Sequence, residues 1–245
     1  MESYLKDINI NGLDNLLSTL DDNVSDELTE IMSKYLSDKG YGLCNNFVIN
    51  NRYPPNAVCH NYTYFYNFLL KDYCNLPINI FEMGVGVPPC MGHGSWAGSL
   101  KGWKEYFPNS TIFSADFDKN YLYNDDRIKS FYVNQEESSS IKELWKNLSN
   151  ESFDLILDDG PHTYTSNILF FKESFYKLKD KGLYIIEDIH LNFIDTLYNN
   201  IIDFCNENNI KINIVKLIIP YPKKFYNPST EYIMKMNNLI FIKKI

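Results

Sequence analysis

Ile78–Gly102 reads INIFEMGVGVPPCMGHGSWAGSLKG. It opens as an apolar, β-rich run (Ile78, Ile80, Phe81, Met83), breaks into glycines at Gly84, Gly86, Gly92 and Gly94, and resumes as a helix from about Ser95. Strand, glycine turn and helix in that order let backbone approach a nucleotide-like ligand closely. Glu82 falls at the carboxyl end of the strand, where open α/β sheets bind ligands. The stretch is not the dinucleotide fingerprint. G-x-G-x-x-G needs a third glycine at 89, where Pro89 stands, so a pyrophosphate fits poorly.

Downstream the alternation continues. Strands are expected at Ile78–Met83, Thr111–Phe117, Ser130–Asn134, Phe153–Asp158 and Gly182–Glu187. Helices are expected between them at Ser95–Tyr106, Ser139–Asn147, Tyr164–Leu178 and Asn192–Asn206. Repeats of this length imply a parallel, doubly wound α/β sheet with right-handed crossovers. Lys211–Ile218 and Leu239–Lys243 follow as strands, joined by a loop, Ile219–Asn238, without a clear helix. Two strands without a crossover helix pair as an antiparallel hairpin, which makes a seven-stranded sheet. Upstream, Leu13, Leu16, Leu17 and Leu20, then Leu28, Ile31, Met32 and Tyr35, recur at helical spacing. Asp26 is placed to cap the second of these helices and Gly40 to end it. With a further helix over Asn61–Tyr73, residues 1–75 read as a helical cap on the domain formed by 76–245. Shielding one sheet face or making a subunit contact explains the cap equally well, and a homo-oligomer is expected.

Composition narrows the function. The net charge of −8 disfavours a nucleic-acid partner, which calls for a basic face. No apolar run approaches the roughly 20 residues that span a bilayer, and MESYLKDINING has no signal-peptide apolar core. Five scattered cysteines without C-x-x-C suggest reduced thiols, so a cytoplasmic location is expected.

The strand ends carry the candidate chemistry. Asp116 and Asp118 stand about 30 residues past the glycine turn. An acid there can accept both ribose hydroxyls of an adenosine, and periodicity does not choose between the two. Asn134-Gln135-Glu136 follows the next strand and suits an adenine edge or an ordinary loop start. FDLILDDGPH ends abruptly in Asp158, Asp159 and His162, and LYIIEDIH ends in Glu187, Asp188 and His190. Paired carboxylates on consecutive strand tips repel one another unless a cation sits among them. A hard divalent ion such as Mg²⁺ suits the oxygen donors. Capping of the following helices by the same acids is the competing reading. His162 can take a proton from a hydroxyl beside such an ion. His190 can do the same or support a ligand.

Taken together, FEMGVG, GSLKGWKEYFP, DFDK, FDLILDDGPH and GLYIIEDIH resemble the metal-dependent sugar O-methyltransferases of the macrocin and mycinamicin type, whose relatives occur in polysaccharide gene clusters. KYLSDKG (Lys34–Gly40) and HNYTYFY (His60–Tyr66) are similar to that family's amino-terminal segments. Glu82-x-Gly84-x-Gly86 is similar to motif I of class I S-adenosylmethionine (SAM) methyltransferases, where the glycines face the methionine part of the cofactor. The resemblance implies a Rossmann-like methyltransferase sheet. It implies Asp159, Glu187 and Asp188 as Mg²⁺ ligands and His162 as general base, with Glu82, Gly84, Gly86, Asp116, Gln135 and Asp158 around SAM. Tyr62 and Thr63 would close over the cofactor from the cap. Pro161 replaces the usual serine, and PPCMGHGSWA replaces the usual glycine-rich stretch before GSL.

The expected activity is methyl transfer to a sugar hydroxyl, with a nucleotide-linked sugar as acceptor. Tyr221, Lys223, Lys224 and Tyr226 would hold its phosphate and ring, unless the lysines are merely solvated. Methylation of a catechol or other small metabolite is the alternative enzyme reading. A non-catalytic subunit of the same fold is the other.

Overall fold

The computed structural model describes residues 2–20, 26–40, 60–86, 96–220 and 231–245. Seven strands form one sheet: β1 Asn79–Met83, β2 Thr111–Asp116, β3 Ile128–Tyr132, β4 Phe153–Asp158, β5 Leu178–Ile186, β6 Ile212–Ile218 and β7 Asn238–Lys244. Their order is β3-β2-β1-β4-β5-β7-β6. β1 to β5 pair parallel, and β7 runs antiparallel to both β5 and β6.

Central strands buried on two faces divide their side chains by the period of two. Ile80, Ile112, Leu155, Leu157, Leu183 and Ile185 enter one core. Phe81, Met83, Phe113, Ile156, Tyr184 and Ile186 enter the other. The first core is covered by α1 Leu13–Ser18, α2 Glu27–Lys34, α3 Tyr62–Leu70 and α4 Gly98–Tyr106, through Leu13, Leu28, Met32, Phe65, Leu69 and Trp103. The second is covered by α5 Ser138–Asn147, α6 Tyr164–Ser174 and α7 Ile194–Glu207, through Trp145, Phe170, Phe171 and Leu197. The amino-terminal helices thus share a core with the sheet, and α3 packs on β7 through Tyr66 against Phe241.

Local boundaries differ from the sequence expectation where tertiary pairing decides them. The helix expected to reach Leu178 ends at Ser174 in a 3₁₀ turn, Phe175–Lys177, and β5 begins at Leu178. Leu178 pairs with Phe153 before the register shifts. Lys179 Nζ donates to the buried Asp154 at 2.7 Å, which holds the polar start of β5 inside the protein. β3 begins two residues early because Ile128 pairs with Ile112. The expected loop 219–238 contains a one-turn helix, α8 Glu231–Met234. No helix among the described residues is long and apolar enough to cross a membrane.

β1 lies between β2 and β4, so the crossovers leave it in opposite directions. A crevice at such a switch point, beyond the carboxyl ends of the strands, is where open α/β sheets bind ligands. Register aligns Met83 with Asp158 and Asp158 with Ile186, so the tips of β1, β4 and β5 end together.

Candidate active site

The crevice is a cavity of about 610 Å³ walled by Met83, Gly84, Gly86, Asp116, Asp118, Gln135, Asp159 and Gly160, among others. That size is typical of small-molecule sites. Gly84 has φ +96, and a Cβ there would lie 2.2 Å from the Asp159 carbonyl oxygen, so only glycine lets β1 turn beneath the β4 tip. Asp116 accepts the amides of Val85 and Asp118, each at 2.9 Å, and braces the glycine turn from β2. Asp118 also lines the wall, and its Oδ1 accepts from Asn120 at 2.8 Å. Gln135 donates through Nε2 to Asp158 Oδ1 at 2.6 Å, and its buried Oε1 has no partner. A Cβ on Gly160 would sit 1.9 Å from that oxygen.

Next to the cavity, ligand atoms of Asp159, His162 and Asp188 lie within 4.8 Å of one another. His162 Nε2 is 3.8 Å from Asp159 Oδ1 and 3.7 Å from Asp188 Oδ2. Its Nδ1 is buried without a partner. His162 and Asp188 both have left-handed backbone, with φ 56 and 52. Strain of this kind in non-glycine residues collects at functional sites. Asp188 Oδ1 accepts from Tyr62 Oη at 2.5 Å and faces His60 Nε2 at 3.4 Å. Burial opposes the Asp188 charge, but His60, His162 and the Tyr62 hydroxyl hold its carboxyl below the ordinary range.

Helix capping does not account for these acids. The N-cap of α6 is Thr163, which forms a capping box with Ser166. α7 begins after Phe193 with no side-chain cap.

Behind the cluster lies a charge arrangement that sequence reasoning missed. Lys39 Nζ, on a nearly inaccessible side chain, donates to Asp159 Oδ2 at 2.5 Å and Glu187 Oε2 at 2.6 Å, and faces Glu82 Oε1 at 3.4 Å. Glu187 Oε1 accepts from Tyr66 Oη at 2.9 Å. Burial pushes the Glu187 carboxyl well up, with Lys39 opposing it. Burial likewise raises Glu82, again against Lys39. Lys39 in KYLSDKG gives no signal from its neighbours, because the two acids that it donates to lie 120 and 148 residues away.

The structure therefore divides the expected site residues. Gly84, Gly86, Asp116, Gln135 and Asp159 line the cavity. Glu82 does not: it is fully buried behind the wall, accepting from Ser99 at 2.7 Å and Trp103 Nε1 at 2.6 Å. Asp158 also stands behind it, and its two oxygens orient Gln135 and Asn167. Burial pushes the Asp158 carboxyl up to about 6, against those hydrogen bonds. Tyr62 holds Asp188 rather than lining the cavity, and Thr63 is hydrogen-bonded to Thr29 at 2.7 Å between cap helices. Glu187 is directed to Lys39 and Tyr66 and is not in the Asp159–His162–Asp188 cluster. His190 Nδ1 accepts the Asn192 amide at 3.1 Å, at the start of the loop into α7. Tyr221, Lys223, Lys224 and Tyr226 lie outside the described residues.

Sheet order, switch-point cavity and acidic rim now stand beside known proteins. The chain is similar to a methyltransferase of mycinamycin biosynthesis, solved in complex with Mg, SAH and mycinamycin VI. The TM-score is 0.58 at 19% identity, over 90% of this chain and 55% of that one. The chain has the class I methyltransferase fold. Among curated sequences it is 30% identical over 145 residues to the mycinamicin VI 2''-O-methyltransferase of Micromonospora griseorubida, covering 58% of this chain and 35% of the relative. It is 28% identical over 130 residues to a tetracenomycin rhamnosyl 3'-O-methyltransferase of Streptomyces olivaceus, covering 53% and 32%. The demethylmacrocin O-methyltransferase of Streptomyces fradiae is 27% identical over 164 residues, covering 66% and 36%. The chain spans about a third of the length of these curated relatives. No family model matches it.

Proposed function

We propose that this protein transfers the methyl group of SAM to a sugar hydroxyl, with Mg²⁺ bound beside the acceptor. The observation that carries the reading is the double position of Asp159. It lines the switch-point cavity and also belongs to the cluster with His162 and Asp188, so methyl donor and cation would be neighbours. The sugar O-methyltransferases among the relatives support the reaction class.

The residues fit both groups. The orphaned Gln135 Oε1 is an acceptor suited to an exocyclic amine, and the Asp116 carboxylate suits vicinal hydroxyls. Asp159 and Asp188 offer carboxylate oxygens, donors suited to a hard divalent ion, and leave His162 Nε2 beside them to act as the base. When bound, the cation lowers the pKa of a hydroxyl and SAM supplies an electrophilic methyl.

The chain's own residues do the rest. His162 Nε2 takes the hydroxyl proton, with its orientation set by the two carboxylates that flank it. Tyr62 and His60 hold Asp188 in place through its Oδ1 side. Asp116, Gln135 and the glycine turns fix the donor, so most of the acceleration comes from holding two reactants in line.

The finer reading is a nucleotide-linked sugar acceptor of the kind used for capsule and other polysaccharides. It rests on Tyr221, Lys223, Lys224 and Tyr226 in the sequence. Sugars on antibiotic glycosides are the acceptors named for the relatives. Transfer from labelled SAM, measured across nucleotide sugars, glycosides and catechols with Mg²⁺ or with EDTA, tests this. Transfer to a sugar that EDTA abolishes is expected. Rates indifferent to EDTA remove the cation, and transfer to catechols alone removes the sugar.

A further inference from the structure

Lys39 is almost wholly buried. Its side chain crosses from the cap to the tips of β1, β4 and β5 and ends among three carboxylates, Glu82, Asp159 and Glu187, with Asp188 beyond them. Its backbone is pinned. The Lys39 carbonyl accepts the Thr63 amide at 3.1 Å, and the neighbouring Asp38 carbonyl accepts the His60 amide at 2.6 Å. The ammonium is therefore delivered to one place.

The three partners are not equivalent. Glu82 is held by Ser99 and Trp103 whatever the lysine does. Asp159 gives Oδ2 to Lys39 and turns Oδ1 toward His162. Glu187 has one oxygen on Tyr66 and the other on Lys39, so both are already engaged and the lysine's charge stands beside the one a cation would use.

We propose that Lys39 is an internal counter-ion that competes with the divalent cation for Asp159 and Glu187, and thereby sets how tightly the ion is held. This rests on the cation reading above. Glu82, Asp159, Glu187 and Asp188 outnumber the one ammonium, so the same acids can draw both the lysine and an ion. Like-charged cations a few ångströms apart repel, and the repulsion is large where water is excluded. Lys39 thus stabilises the ion-free protein and weakens the ion's grip, which keeps exchange of cation and acceptor possible. Glu187 becomes available as a ligand only as Lys39 releases it, leaving Glu82 as the lysine's partner. Lys39 is a positioning residue: it reaches the acids that hold the ion, not the reacting atoms.

The test is a titration of the purified chain with Mn²⁺ and Mg²⁺, followed by calorimetry and by thermal unfolding with and without the metal. Lys39→Met should bind the ion more tightly, on the order of tenfold or more. It should unfold at lower temperature without metal and gain more from saturating metal than the native chain does. Lys39→Arg, which keeps the charge and grips carboxylates in a fork, should bind the ion more weakly than the native chain. This second variant decides the matter should Lys39→Met not fold. Unchanged or weaker ion binding in Lys39→Met overturns the proposal, as does unchanged or tighter binding in Lys39→Arg. A lysine that merely braces the fold would lower stability in both variants without moving affinity in opposite directions. Absence of any binding to the native chain overturns the cation reading itself, which is a distinct result.

Discussion

Two positions state the case most sharply. His162 has left-handed backbone and a buried Nδ1 without a partner, while its Nε2 sits under 4 Å from both Asp159 and Asp188. His162→Ala should lower turnover on the order of 10²–10⁴-fold, with SAM affinity by calorimetry unchanged, because His162 is not a wall residue of the cavity. Gly160 makes the complementary test. Its missing Cβ leaves room for Gln135 Oε1, and alanine would force the amide off Asp158. Gly160→Ala should weaken SAM binding by about tenfold or more, the loss of one buried polar contact. Calorimetry on the folded variant reads this directly, and undiminished affinity would remove Gln135 from the cofactor site.

At the level of elements, the helices that follow β4 and β5 are not capped by the acids at those strand tips. α6 starts immediately after His162, and its first turn is closed by the Thr163–Ser166 capping box. Thr163→Ala should lower stability by about 1 kcal/mol, seen as a lower urea midpoint with an unchanged slope. A capping role for Asp159 would predict the same loss from Asp159→Ala. The structure assigns no cap to Asp159, so that variant should lose cation binding instead. The starts of β3 and β5 differ from expectation because pairing with neighbouring strands sets them. β5 starts in the polar stretch Leu178–Gly182 because Asp154, second in the run FDLILD, accepts from Lys179 at 2.7 Å.

Asp154 also organises the whole molecule. It accepts from Ser3 Oγ at 2.8 Å and from the amides of Tyr4 and Asn79, each at 2.9 Å, fastening the amino-terminal segment to β1 and β4. Lys243, near the end of the described chain, does the same from β7, donating to the carbonyls of Leu5 and, at 2.5 Å, Lys181. Burial lowers the Lys243 ammonium from 10.5 to about 8, with Lys181 adding to the effect and Asp7 opposing it. The native state therefore releases this proton before the unfolded chain does. Its contribution to stability is full above pH 10.5 and is lost as pH falls through about 8. Subtracting a Lys243→Met variant isolates it from other groups. The native chain should gain on the variant by up to about 3 kcal/mol between neutral pH and pH 10.5, measured by urea denaturation at each pH. A constant difference would show that Lys243 titrates normally.

Much of this protein was legible one segment at a time. Apolar runs ending in glycine or paired acids placed five parallel strands and a terminal hairpin, because such runs and chain breaks are local properties. The same runs placed Gly84, Asp116, Gln135, Asp159 and Asp188 at one edge, since every parallel strand ends on the same side. What each acid does there was not legible. Glu82, Asp158 and Glu187 look like site residues in sequence, yet they face Trp103, Gln135 and Lys39, which lie 21, 23 and 148 residues away. The partner of a buried charge is chosen by packing among elements up to 148 residues apart, and only the folded molecule brings those elements together.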